Sequence, residues 1–188
     1  VAVCDIVKDR MVETAVNFGL LKRVRLYEDY KQMLAQGDLQ LVAICTESGK
    51  HASIALDCIA AGCHVIIEKP IALSLCDADA IIDAGRRAGV VVCACHQNRF
   101  NKFILKIREA VEEGRFGRLL HGAAHIRWNR GKQYYDLDEW RGIWEQDGGV
   151  LMNQCIHNID LLRWMMGDEI DEVFAITDNL NHPYLATE

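Results

Sequence analysis

Two prolines in 188 residues leave no proline-rich linker and no polyproline recognition segment. Aromatic side chains make up only 7%. No apolar run approaches the ~18 residues that a membrane span needs. Positive charge is also short: 21 basic against 27 acidic side chains give a net charge of -6, which is no footprint for nucleic acid or an anionic membrane. The small basic cluster Lys22-Arg23-Val24-Arg25 reads as a solvated connection between elements. Eight cysteines are present without a single C-x-x-C pair or a Cys/His grouping at zinc spacing, so neither a structural zinc nor a disulfide framework is expected. Thiols packed as small hydrophobes in a reducing cytoplasm are the expectation, and no secretory leader is visible. What is present is a chain 51% hydrophobic and 26% charged, enough to bury a core.

Short apolar runs alternate with helical patterns through the first half. Strands are expected at Val1–Cys4, Val24–Leu26, Leu39–Cys45, Cys63–Ile67 and Val90–Cys95. Helices fall between them, one capped by Asp9 and closed by Gly19, one around Tyr30–Leu34, one from Ala52 to Gly62. A fourth opens on Ser74 with Asp77 three residues on and ends near Gly89. Strands apolar on both faces and separated by helices of about ten residues imply a parallel sheet covered on both sides. The pattern changes after His96. A helix is expected over Asn101–Glu113, a strand over Leu119–Trp128, a long polar and aromatic loop over Asn129–Asp147, one helix from Gly148 to Met166, and a last strand over Ile170–Asp178. The division is placed at residues 1–97 and 98–188.

Ligands bind beyond the carboxyl ends of the strands in open parallel sheets. Asp5, Thr46, Lys69 and His96-Gln97-Asn98-Arg99 all follow strands here. A strand-end acid can accept bonds from both ribose hydroxyls of a dinucleotide, and Asp5 stands where that is possible; it could equally be a turn residue. Lys69, held between Glu68 and Pro70, is positioned by a residue that has no backbone donor, although a surface Glu68–Lys69 pair is the plain alternative. Asn153, His157 and Asp160 share one helical face, and His is the side chain best suited to take a proton near neutrality. His121 and His125 lie four apart on a predicted strand, about 13 Å distant by strand rise, too far to ligate one metal.

Asp5, Tyr27-x-Asp29-Tyr30, Ala61-Gly62-Cys63-His64-Val65-Ile66-Ile67-Glu68-Lys69-Pro70, Asn98-Arg99-Phe100, Trp140-Arg141-Gly142 and Asp147-Gly148-Gly149 followed by His157-x-x-Asp160 together resemble the Gfo/Idh/MocA oxidoreductases. The resemblance runs over nearly the whole chain. It implies an α/β fold: a Rossmann-type parallel sheet, then an α/β domain built on a mostly antiparallel sheet. It also implies hydride transfer between a sugar or polyol carbon and NAD. Carried onto this sequence, it assigns Asp5 to the adenosine ribose, with Thr46, His51, Glu68 and Lys69 along the cofactor path and Trp140 and Arg141 near the nicotinamide. Lys69 and His157 become the catalytic pair. Asn98, Arg99, Arg130, Tyr135 and Asn153 become substrate contacts. Trp128-Asn129-Arg130, Tyr134-Tyr135 and Asn153-Gln154 are most similar to members that oxidise nucleotide-linked amino-sugar uronic acids, with Arg130 and Arg99 meeting phosphate or carboxylate. A homo-oligomer, dimer or tetramer, is implied as well, with no nucleic-acid or membrane partner and no metal.

Two departures stand out. Many members carry Asp four residues before the catalytic His, where this chain has Asn153, and an amide takes no proton. No G-x-G-x-x-G turn occurs in the sequence, so the first βα unit is read as missing and the chain as truncated at both ends. These residues alone are expected to hold a pyrophosphate poorly and to expose a sheet edge. The competing expectation is a non-catalytic relative that binds a sugar or a partner subunit without turnover.

Overall fold

The computed structural model describes residues 1–167 and 169–187. β1 (Ala2–Cys4) leads through α1 (Lys8–Asn17) to β2 (Arg25–Tyr27), which lies parallel to β1 with Val3 opposite Leu26. α2 (Tyr30–Leu34), β3 (Leu41–Ile44), α3 (His51–Ala60), β4 (His64–Ile67), α4 (Leu75–Ala88) and β5 (Val92–Ala94) follow. β3, β4 and β5 form a second parallel ladder in that order, Ile44 beside Ile67 and Ile67 beside Ala94. Parallel neighbours require a crossover, and α3 and α4 supply it.

Local chemistry sets the helix ends. Ser74 accepts a bond from the Asp77 amide at 3.0 Å and donates its hydroxyl to the Asp77 carboxylate at 2.8 Å, while Gly89 closes α4 at φ 67°. Arg86 and Arg87 sit in the last turn, where cations oppose the negative end of the helix dipole. Asp29 caps α2 through the Lys31 amide at 2.8 Å. Asp9 lies inside the first turn of α1 rather than capping it; Val7 holds the cap position. At Gly85 a Cβ would meet Val92 Cγ2 at 2.5 Å, so α4 lies close on β5 because that side chain is absent.

The core is one-sided. Val42, Ile44, Val65 and Ile67 are buried against Ala55, Cys58, Ile59 and Ile81 of α3 and α4, while Leu41, Ala43, His64 and Ile66 of the same strands are exposed. The expected cover on both faces is therefore absent among the described residues: α3 and α4 lie on one face and no helix lies on the other. Hydrophobic runs on these strands do not by themselves place a second layer. The β1–β2 pair is likewise not bonded to the larger ladder, where a single sheet was expected. Of the eight free cysteines only Cys58 and Cys63 are buried, and Cys45, Cys76 and Cys93 are exposed. Burial pushes the Cys58 thiol up to about 12, which makes it a poor nucleophile.

The second half carries α5 (Lys102–Glu112), α6 (Lys132–Tyr135), α7 (Gly149–Asn153) and α8 (Ile156–Met166). Neither Leu119–Trp128 nor Ile170–Asp178 forms a strand. An extended segment becomes a strand only when a neighbour pairs its amides and carbonyls, and neither segment has one among the described residues. Val173, Phe174 and Ile176 are more than 80% exposed in consequence. The mostly antiparallel sheet thus has no ladder here, and the parallel Rossmann-type part is what the fold displays. The helix expected from Gly148 to Met166 is broken in two, at a place that matters for the site.

Candidate active site

Cys45, Glu68 and Cys95 lie side by side just past the paired ends of β3, β4 and β5, with the Glu68 amide on Ile44 O at 2.9 Å and the Cys95 amide on Ile67 O at 2.8 Å. The Glu68 carboxylate accepts the Lys69 amide at 3.2 Å, and the Lys69–Pro70 peptide is cis. Pro70 O lies 2.7 Å from His51 Nδ1, and Thr46 O lies 3.0 Å from His51 Nε2. His51 therefore ties the turn after β3 to the turn after β4. Only 1% of it is exposed, and both ring nitrogens face protein carbonyls.

Lys69 reaches across to the second half. Its Nζ donates to Asn153 O at 2.8 Å and to Asn153 Oδ1 at 3.1 Å. That main-chain oxygen is available because the helix breaks here. The amides of Gln154 and Cys155 both turn to Val150 O, at 3.0 and 2.9 Å, and those of Asn158 and Ile159 both turn to Cys155 O. The bond from Cys155 back to Val150 spans five residues, a π-type widening that periodicity in the sequence does not reveal. Asn153 Nδ2 donates to Asp147 Oδ1, and Asp147 Oδ2 accepts the Gly142 amide at 2.8 Å. Asn153 is buried, and both ends of its amide are engaged, with Oδ1 on Lys69 and Nδ2 on Asp147. Burial lowers the Lys69 ammonium below its ordinary value; Glu68 and Asp147 pull it up again and Arg141 pushes it down.

His157 is buried on the first turn of α8, and its Nδ1 has no partner. Burial, then the charges of Lys69 and His96, push the imidazole below its ordinary value, while Glu68 and Asp160 pull the other way. These surroundings favour the neutral imidazole. Beside it Asp160 accepts from two nitrogens of Arg99, Nε at 2.8 Å and Nη2 at 2.5 Å, and His96 Nδ1 lies 3.6 Å away. Arg99 also stacks on Trp164 at 5.1 Å. Arg99, expected to meet a substrate anion, forks onto the Asp160 carboxylate in this structure. Asn98 sits half-buried on the same short turn, Gln97–Phe100.

A second cluster closes the other side. Tyr134 lies between two guanidinium groups, Arg141 at 4.4 Å and Arg130 at 4.8 Å, and Arg141 also covers Trp140 at 4.4 Å. The Tyr134 hydroxyl accepts from Arg141 Nη1 at 2.6 Å and from Gln154 Nε2 at 2.9 Å. Arg141 pairs with Asp138 at 3.1 Å. Arg130 has no ion pair among the described residues, and its Nε is buried without a partner. Tyr135 packs on Tyr134 and His182 at 5.2 and 5.3 Å, and burial raises its hydroxyl.

Asp5 follows β1 and accepts the Val7 amide on Oδ1 at 2.8 Å, and Thr46 is exposed past β3. Asp5, Thr46, Glu68, Lys69, Trp140 and Arg141 are the residues that would have to hold the ribose and nicotinamide portions of NAD; Asp5 keeps a carboxylate oxygen, Oδ2, outside its turn bond. No glycine-rich turn for a pyrophosphate occurs among the described residues. His121 and His125 are exposed, and among the described residues no three His, Cys, Asp or Glu side chains are grouped to hold a metal. No helix is long and apolar enough to cross a membrane. The sequence marks His96 as a strand-end residue, Asp160 on the face of His157, and Tyr134, Gln154 and Asp147 within motifs, but gives none of them a role. The motif contained Asp147, but only its burial reveals what it does.

Residues 1–96 match the family model for an oxidoreductase family with an NAD-binding Rossmann fold. Residues 104–188 match the GFO/IDH/MocA C-terminal domain. The myo-inositol 2-dehydrogenase of Thermotoga maritima is 30% identical over 93% of this chain and 49% of its own length. The WlbA dehydrogenase of Bordetella pertussis, solved with NADH and UDP-GlcNAcA, is 36% identical with a TM-score of 0.77, covering 89% of this chain and 51% of that one. The WlbA dehydrogenase of Chromobacterium violaceum, solved with the same two ligands, is 35% identical, also at 0.77, covering 89% of this chain and 47% of that one. The chain spans about half the length of the curated relatives it matches.

Proposed function

The chain belongs to the GFO/IDH/MocA family of NAD-binding oxidoreductases, and on that premise we propose that its protein oxidises a secondary hydroxyl of a nucleotide-linked sugar acid. Lys69 and His157 are the catalytic pair in this reading. The observation that carries it is a half-buried ammonium bonded to the Asn153 carbonyl at the helix break, four residues before a buried imidazole that feels its charge and whose Nδ1 has no partner among the described residues.

NAD, when bound, accepts the hydride that leaves the carbinol carbon. The hydroxyl proton passes to the His157 imidazole, which its surroundings keep unprotonated. Lys69 donates to the same oxygen and stabilises the negative charge that develops there. The carbinol thereby becomes a carbonyl, with one hydride and one proton released. Asp5 accepts from the ribose and, by its charge, disfavours a 2′-phosphate. Residues 1–97 serve the cofactor and 98–188 the sugar. Arg130, whose guanidinium forms no ion pair among the described residues, is the receptor for a carboxylate or phosphate of the substrate. The two WlbA structures, each solved with a nucleotide-linked sugar acid, support that class over free polyols.

NADH absorbance with a panel of UDP-linked sugar acids, neutral UDP-sugars and free polyols tests the proposal. Turnover restricted to the free polyols overturns the substrate class. Sugar binding without turnover, unaffected by Lys69→Ala, would make the protein a non-catalytic relative.

A further inference from the structure

The Asn153 amide has two different ends, and its neighbours admit only one orientation. A carboxylate accepts and an ammonium donates. Nδ2 must therefore face Asp147 and Oδ1 must face Lys69, as observed. Asp147 is only 4% exposed and forms no ion pair among the described residues. Its other oxygen is held by the Gly142 amide at 2.8 Å, so the carboxylate cannot rotate away.

We propose that Asp147 is the positioning residue for Lys69: through the Asn153 amide it sets where the ammonium points, and it places a buried negative charge behind it. The inference rests on the reading of Lys69 as the group that meets the substrate oxygen. Four charged or titratable groups bear on Lys69: Glu68 on its own strand end, Asp147 and Arg141 from the long loop, and His157 from α8. Asp147 reaches it through a side chain that donates on one end and accepts on the other. An uncharged residue at 147 loses both the orientation and the charge.

The test is the pH dependence of reductive methylation at Lys69, read by peptide mass spectrometry, in the protein and in Asp147→Asn. Exposed Lys22 and Lys102 serve as internal controls. Loss of an opposite charge at this range moves the Lys69 midpoint down by about one pH unit, with the control lysines unchanged. An unmoved Lys69 midpoint in folded Asp147→Asn overturns the proposal and leaves Asp147 as a partner of the Gly142 amide only. Should that variant fail to fold, Asn153→Ala cuts the same link and keeps the Asp147–Gly142 bond. Lys69 is then methylated several-fold faster at a given pH, and an unchanged rate overturns the proposal. Full turnover in Lys69→Met would instead sink the dehydrogenase mechanism, independently of how the labelling comes out.

Discussion

Lys69 Nζ lies 2.8 Å from the main-chain oxygen of Asn153, 84 positions further along the chain. The bond joins the end of a parallel strand to the break between two helices. It places the ammonium where the parallel-strand half of the chain meets the helices of the second half.

Replacing Lys69 by Met keeps the bulk of the side chain and removes the charge. Turnover is expected to fall by about 10² to 10³, the range for deleting one donor to a developing oxyanion. The same change removes a positive charge that opposes protonation of His157. The His157 midpoint, followed by the NMR shift of its ring protons, therefore rises in Lys69→Met. A midpoint that stays put would place the two side chains too far apart to act together.

His157 is pushed below the ordinary imidazole value of 6.5, first by burial. As a base it must be neutral, so kcat/KM falls only when the pH drops through that lowered value. The acid limb of the rate profile accordingly lies below pH 6.5. In His157→Asn that limb disappears and kcat drops by about 10² to 10⁴. An acid limb above the ordinary value would assign the base elsewhere.

Arg130→Met tests substrate charge. The KM for a sugar acid is expected to rise by about 10- to 100-fold, the loss of one hydrogen bond to a charged group. The KM for a neutral sugar of the same ring should hardly change. Equal effects on both would deny Arg130 the role of anion receptor.

Gly49 donates its amide to Gln146 O at 3.1 Å, and a Cβ at 49 would run into the backbone of Glu145 and Gln146. Gly49→Ala therefore pushes the loop that carries Arg141 and Asp147 away from β3. A loss of about 1 to 3 kcal/mol is expected for such overpacking, measurable as a lower denaturant midpoint. No change in midpoint would mean that the loop yields without cost.

The sequence by itself determined the crossover pattern, because the 3.6-residue period, the two-residue period and the caps act over a few neighbours. The Ser74–Asp77 cap and the Gly89 stop stand where the sequence placed them, and so do the strand-end positions of Asp5, Thr46 and Lys69. Only the tertiary structure decided what the polar groups face. His51, expected beside a cofactor, is buried between Pro70 and Thr46 carbonyls, and Arg99 is taken by Asp160, 61 residues away. Asn153 became an anchor because the widened turn at Val150–Cys155 frees its carbonyl and burial brings Asp147 behind its amide. Such pairings depend on where distant segments pack, and a buried polar group takes whichever partner the packing supplies, since leaving it without one costs more than any local preference.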